Sequence, residues 1–137
     1  MPHCHEIKVR FYELDLYGHL NHAVYIQFFE TGRIELLEEA GMALHEINKN
    51  DLRFVVSKIS TSFLKPVKAG AILMIQTEIL EIRRASSIWH QKIFENNNLI
   101  SEQTVRAAIT NSEGRPVRFP QKLIDSLTPY LSNSIKT

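Results

Sequence analysis

The sequence predicts an α+β domain in which one antiparallel sheet wraps around a long central helix. Three observations carry this expectation: apolar alternation over residues 5–11, an apolar-faced run over 22–41, and four β-rich segments after residue 53.

In the first segment Ile7, Val9 and Phe11 alternate with Glu6, Lys8 and Arg10, the period of a half-buried strand. Gly18 permits a turn that other residues resist, and Asn21 is a good N-cap for the run that follows. From Tyr25 the apolar positions Phe28, Phe29, Gly32 and Leu36 recur at helical spacing, and Ile26, Ile34, Leu37 and Ala40 widen the face. One largely buried helix of about 30 Å is expected. Gly32 on its buried stripe implies a close approach to another backbone, and Gly41 is a natural stop. Met42–Asn50 could form a short second helix. Strands are then expected over Arg53–Leu64, Ile72–Arg83, Ser86–Glu95 and Leu99–Thr110. Their separators, Lys65-Pro66-Val67-Lys68-Ala69-Gly70, Arg84-Ala85 and Asn96-Asn97-Asn98, are short enough for an antiparallel meander. Pro120–Leu127 reads as a small helix and the polar residues beyond it as a loose tail. The whole chain, 1–137, is expected to be one domain with its core over about 5–120. The open edges of such a sheet are relieved by strand pairing in a homodimer.

The bulk properties narrow the function. A chain of 137 residues with 44% hydrophobic and 23% charged residues and a net charge of +1 has no field that implies nucleic-acid or membrane binding. No apolar run approaches the ~18 to 20 residues of a membrane span. The single cysteine, Cys4, excludes an internal disulfide, and the N-terminal residues lack the apolar core and cleavage site of a signal peptide. A cytoplasmic enzyme or binding protein is the expectation.

The segment Asp15–Tyr25 places a carboxylate and two imidazoles, His19 and His22, beside a helix start. Free amides at such a terminus can stabilise an oxyanion, with His22 and Ala23 as the candidates. Asp15 across a small gap could attack a carbonyl or activate water, an acyl-transfer arrangement. The same residues also fit structural roles: Asp15 as a turn former, the histidines as packing groups, Tyr25 as core.

The run Val9-Arg10-Phe11-Tyr12-Glu13-Leu14-Asp15-Leu16-Tyr17-Gly18-His19-Leu20-Asn21-His22-Ala23-Val24-Tyr25, followed by Phe29-Glu30-Thr31-Gly32-Arg33-Ile34-Glu35, resembles the hotdog-fold thioesterases of the 4-hydroxybenzoyl-CoA thioesterase-like group. The resemblance extends from about Lys8 to Pro120 and includes Phe63-Leu64-Lys65-Pro66-Val67 and Gly114-Arg115-Pro116-Val117-Arg118. Within the group, bacterial and plant fatty-acyl thioesterases are most similar. The resemblance implies Asp15 as catalytic nucleophile or general base and His22, with its amide, at the thioester carbonyl. Tyr17, Gly18, Asn21, Ala23 and Tyr25 are then expected around the substrate, and Arg83, Arg84 and Ser86 at CoA phosphates. The implied substrate is acyl-CoA or acyl-carrier-protein, with no cofactor or metal, in a homodimer or homotetramer. Two departures stand out: Phe11 occupies a position where the bacterial branch often has a functional tyrosine, and His19-Leu20-Asn21 replaces a more apolar stretch.

Other residues have plainer readings. Glu30 and Arg33 are spaced for a helical ion pair. Lys65 and Lys68 read as surface charges; Arg115 and Arg118 could face a neighbouring subunit or CoA. Ser57, Ser60, Thr61 and Ser62 form a polar strand face or supply a hydroxyl near the thioester. His3-Cys4-His5 is too compact for a closed zinc site. Two rival functions remain: a non-catalytic acyl-thioester binder, and a hotdog hydratase or dehydratase, whose Asp-x-Asn-Pro-x-His pattern this chain lacks.

Overall fold

Alternating burial organises the sheet. In the computed structural model, which describes residues 1–42 and 44–132, the elements are β1 (His3–Lys8), α1 (His22–Glu39), α2 (Leu44–Lys49), β2 (Arg53–Phe63), β3 (Ile72–Ile82), β4 (Ser86–Glu95), β5 (Asn98–Thr110) and α3 (Gln121–Leu127), with 3-10 turns at Phe11–Glu13 and Thr128–Tyr130. Leu73, Ile75, Thr77 and Ile79 of β3 face inward, as do Ser87, Trp89, Gln91 and Ile93 of β4. These inner positions form the floor on which α1 lies. This is the expected helix cradled by one sheet.

The sheet is antiparallel throughout, in the order β1-β3-β4-β5-β2. Only β3, β4 and β5 form the expected meander. β2 pairs with β5 at the far edge, so residues 64–71 cross over rather than making a hairpin. The crossing is anchored: Leu64 and Lys65 amides donate to the Ile100 carbonyl, Val67 is buried, and its carbonyl accepts from Leu20 N–H. The β4–β5 turn is a tight one, with Asn96 and Asn97 both at positive φ, as a two-residue hairpin loop requires.

The first strand is shorter than its alternation implies. After Lys8 the chain leaves β3, Arg10 N–H donates to the Glu13 carboxylate, and a 3-10 turn follows. Phe11 therefore points to solvent, 83% exposed, while Val9 remains buried. At the other terminus the residues expected to be loose divide. Thr128–Tyr130 form a turn, Leu131 bridges Ile79 and Ser132 N–H donates to the Ile79 carbonyl. Positions 133–137 lie outside the described residues. His3 and Cys4 point to opposite sides of β1: His3 is buried against Glu39, 3.0 Å from its carboxylate, and Cys4 is exposed.

α1 ends as expected at Gly41. Gly41 N–H donates to Glu38 and Met42 N–H to Leu37, with Gly41 at φ +80°, a Schellman closure. Its buried face is Tyr25, Phe28, Phe29, Gly32, Arg33, Leu36 and Leu37. Ile26 is on the exposed side, and Arg33 takes an unexpected place inside. The expected Glu30–Arg33 ion pair does not form. The Arg33 guanidinium instead donates through Nη1 to Gln91 Oε1 (2.8 Å) and Gln103 Oε1 (2.9 Å).

Those glutamines belong to one straight row across the sheet, Thr77–Gln91–Gln103–Thr61, each residue directly opposite the next. Gln91 Nε2 donates to the Phe29 carbonyl and to Thr77 Oγ1, and Gln103 Nε2 to Thr61 Oγ1. The row divides the apolar interior into two clusters. One is built around Leu36, Trp89 and Leu123, the other around Phe28, Phe29 and Ile75. Gly32 sits directly over the row. A Cβ there would lie 2.8 Å from Ile75 Cγ2 and 2.9 Å from both Gln91 Nε2 and Thr77 Oγ1, so the close approach is to sheet side chains rather than to another backbone. Overpacking costs roughly 1–3 kcal/mol, more than the ~1 kcal/mol alanine returns in helix propensity. Gly32→Ala is therefore expected to lower the urea unfolding midpoint by the equivalent of about 1 kcal/mol at unchanged slope; an unchanged or raised midpoint would show that the row yields freely.

Candidate active site

The loop ahead of α1 folds around its own carboxylate. Leu14 and Leu20 form an antiparallel bridge, Asp15 N–H donates to His19 O (2.7 Å), and Gly18, at φ +76°, makes the reversal with its amide on Asp15 O (3.1 Å). Within that loop Asp15 Oδ1 accepts from the amides of Tyr17 (2.8 Å) and His19 (3.1 Å). Amide donors favour the charged form, so the His19 and Tyr17 amides, with smaller help from the nearby His19 and His22 rings, hold the Asp15 carboxyl below the ordinary aspartate value. Oδ2 has no partner among the described residues.

Opposite this carboxylate stands the helix start. Asn21 is the N-cap, its Oδ1 accepting from Ala23 N–H at 2.9 Å. That bond alters one expectation: the Ala23 amide is already engaged and cannot receive an oxyanion. Val24 and Tyr25 amides return to the Asn21 carbonyl. Among the described residues the His22 amide has no acceptor, at a terminus where the dipole favours negative charge.

Asp15, His19, His22 and Tyr25 share a pocket of about 240 Å³ whose far wall is Phe63, Leu64, Lys65 and Pro66, the end of β2 and the start of the crossing segment. The Phe63 ring meets His22 edge-on at 4.6 Å and Tyr25 at 5.2 Å. Tyr25 is buried, and its hydroxyl donates to the Lys65 carbonyl at 3.1 Å; burial, with the charge of Glu95, pushes its pKa up, so the phenol stays protonated. Tyr17 contributes its amide, while its side chain points to solvent. Phe63 was not among the expected site residues, because β2 meets α1 only through tertiary packing. His19 lines the pocket along with His22.

Arg83, Arg84 and Ser86 are not part of this constellation within one chain. They form the β3–β4 turn, with Arg83 N–H donating to Ser86 O and the Arg83 guanidinium on Glu81. Ser86 stands opposite Ala108 of β5, whereas Phe63 stands opposite Ser101, about 23 Å away along the strand. Ser57 Oγ donates to the Arg106 carbonyl, and the Ser101 hydroxyl donates to the Ser62 carbonyl. Thr61 closes the polar row. Among the described residues no group of three metal-ligating side chains converges, and no helix is long and apolar enough to cross a membrane.

One long helix held by a single antiparallel sheet, with a pocket at its N-terminal end lined by Asp15 and His22, is the architecture of the hotdog fold. The chain belongs to the Thioesterase-like superfamily, whose family model matches residues 9–127. It is 30% identical over 128 residues to a chloroplastic acyl-acyl carrier protein thioesterase of Arabidopsis thaliana, covering 92% of this chain and 67% of that protein. It is 28% identical over 119 residues to the acyl-CoA thioesterase YbgC of Haemophilus influenzae, covering 85% of this chain and 88% of that one. A probable thioesterase from Bartonella henselae superposes with a TM-score of 0.84 at 29% identity, covering 88% of this chain and 100% of that chain.

The amide clamp on Asp15 has a measurable signature. In a carboxyl carbon NMR titration the Asp15 midpoint is expected below the ordinary value of about 3.9. The sign follows from linkage: a depressed native pKa contributes stability that is present above the unfolded value and lost as pH falls through the native one. A midpoint at or above the ordinary value would show that the Tyr17 and His19 amides do not hold the carboxylate in solution.

Proposed function

We propose that this protein hydrolyses acyl-CoA thioesters in the cytoplasm, with Asp15 as the group that acts on the thioester and the His22 amide as the oxyanion donor. The observation that carries the reading is the pairing in one pocket of a carboxylate with a free oxygen and a helix-terminal amide with no other partner. A thiolate leaves easily, so so small a site needs no strong general acid. The carbonyl oxygen is taken by His22 N–H, attack at the carbonyl carbon gives a tetrahedral oxyanion, and its collapse expels the CoA thiolate.

The amide clamp keeps Asp15 ionised, the form able to attack the carbonyl directly or to activate a water for attack. Attack by Oδ2 would give an acyl-aspartyl anhydride, which water then opens. His22 and His19 flank the carboxylate and can orient that water. Support for acyl-CoA comes from the relative of that name, which this chain covers for most of its length. The plant relatives, of which the chain spans 67% and 62%, make acyl-carrier-protein the second substrate to assay.

The working unit in this reading is a homodimer joined along β2. That strand is an open edge, and its Val55, Ile59 and Phe63 are exposed, as are Leu16 and Tyr17 of the Asp15 loop. Two-fold antiparallel pairing there would bring one protomer's 83–86 turn to the same end as the other's Asp15. Arg83, Arg84 and Ser86 would then serve a neighbour's CoA phosphates.

Asp15→Asn and Asp15→Ala are each expected to lower kcat on acyl-CoA by roughly 10²-fold or more; undiminished turnover in both would remove Asp15 from the chemistry. In a single turnover in oxygen-18 water, label in the Asp15 carboxylate supports an acyl-aspartyl anhydride opened at the aspartyl carbon, whereas label confined to the released acid assigns water attack to the acyl carbon and argues against that route. Light scattering is expected to give a mass twice the 15.8 kDa of the chain, or four times for a pair of dimers. A monomer would sink the β2 pairing.

A further inference from the structure

The His22 side chain enters the site with no polar group to hold it. It is exposed on the first turn of α1, and among the described residues neither of its ring nitrogens has a hydrogen-bond partner. Its ring contacts are aromatic. Tyr25, three residues on and so on the same face of the helix, is stacked on it at 6.5 Å and 27°, and Phe63 meets it edge-on at 4.6 Å and 73°. Phe63 also stands edge-on to Tyr25, at 5.2 Å and 73°. One ring from β2 is thus wedged against two from α1, in an arrangement that aromatic quadrupoles favour.

Phe63 can act as a wedge because its own backbone is fixed. The Ser101 hydroxyl of β5 donates to the carbonyl just before it, that of Ser62, and the two amides just after it, of Leu64 and Lys65, donate to the Ile100 carbonyl. The Lys65 carbonyl in turn accepts from the Tyr25 hydroxyl, which ties the end of β2 to the helix turn that carries His22. An imidazole on an exposed first turn has several staggered rotamers open to it. Orienting water at Asp15 requires one of them.

We infer that Phe63 is a positioning residue whose ring selects the His22 rotamer that lies against the Asp15 pocket, an inference that rests on the thioesterase reading of that pocket. Core packing accounts poorly for the ring, since Phe63 is 41% exposed and stands opposite a serine. It does not hold the carboxylate, which the Tyr17 and His19 amides already clamp. His19, the other imidazole of the pocket, has no ring contact among the described residues. The wedge therefore distinguishes one histidine from the other.

The test is a double-mutant cycle on thiol release from acyl-CoA, using Phe63→Leu, His22→Ala and the pair. Phe63→Leu is expected to lower kcat roughly three- to tenfold, the population ratio that one aromatic pair sustains, and Phe63→Tyr, which keeps the ring, to recover most of the loss. In the His22→Ala background Phe63→Leu should cost nothing further. A loss that persists there belongs to the strand or its pairing, and a loss confined to KM belongs to substrate contact; either overturns the inference. The proton NMR signal of His22 Cε1–H, assigned by its absence in His22→Ala, reads the wedge without turnover. It is expected to move in Phe63→Leu while the His19 signal stays, and to return toward its place in Phe63→Tyr. An unmoved His22 signal overturns the inference whatever the kinetics, and it decides alone if His22→Ala is too slow to measure. The expected shift in a chain that releases no thiol from any acyl-CoA would uphold the placement of His22 by Phe63 and overturn the thioesterase reading instead.

Discussion

The hydrogen-bonded row Thr77–Gln91–Gln103–Thr61, with Arg33 and the Phe29 carbonyl above it, is the constraint on which the remaining geometry rests. It fixes the depth, rotation and axial position of α1 on the sheet, because each glutamine uses both ends of its amide. The carbonyls receive Arg33 and the NH₂ groups reach threonines on either side. Apolar packing alone tolerates sliding; a buried polar group without its partner does not. Gly32 allows the helix to descend far enough for these bonds to form. With the helix fixed at its middle, its N-terminus is fixed too, and the His22 amide meets the Asp15 loop in a defined place.

The site itself divides its labour between local and distant parts. The turn, the carboxylate clamp and the Asn21 cap of the Asp15 loop are built from residues 13–24, and Leu20 N–H ties the loop to Val67 O. The opposite wall, Phe63 to Pro66, is brought in by the crossing of the chain from one sheet edge to the other. One half can therefore be read as a motif and the other only as topology. The same crossing leaves Phe63 and Ile59 of β2 partly exposed.

This division explains what was legible in the sequence. The periods of β3, β4 and β5, the Asn96-Asn97 turn, the Gly41 stop and the Asn21 cap depend on neighbours in the chain, and each appears where its local chemistry places it. The Asp15–His22 pairing was legible for the same reason. What escaped depends on contacts between distant residues. A charged residue at position 33 gives no local sign of being buried, and only the glutamines of two other strands make it tolerable there. Short separators suggested a four-strand meander, yet β2 belongs beside β5. Nor does any local pattern show that the 83–86 turn and Asp15 lie at opposite ends of the sheet within one chain. The second glycine role, at Gly32, was seen as a close approach, with the wrong partner.

The placement of β2 also sets an order of events as the chain folds. β3, β4 and β5 are sequential neighbours and can zip as hairpins, whereas β2 must wait for β5, which begins 35 residues after β2 ends. Loops of that length close slowly compared with hairpins. Until β5 emerges, a strand carrying Val55, Val56, Ile59 and Phe63 has no partner in its own chain. At high synthesis rates that interval is when two nascent chains can pair wrongly through β2. The strand that completes the pocket is thus also where a newborn molecule is most vulnerable to aggregation.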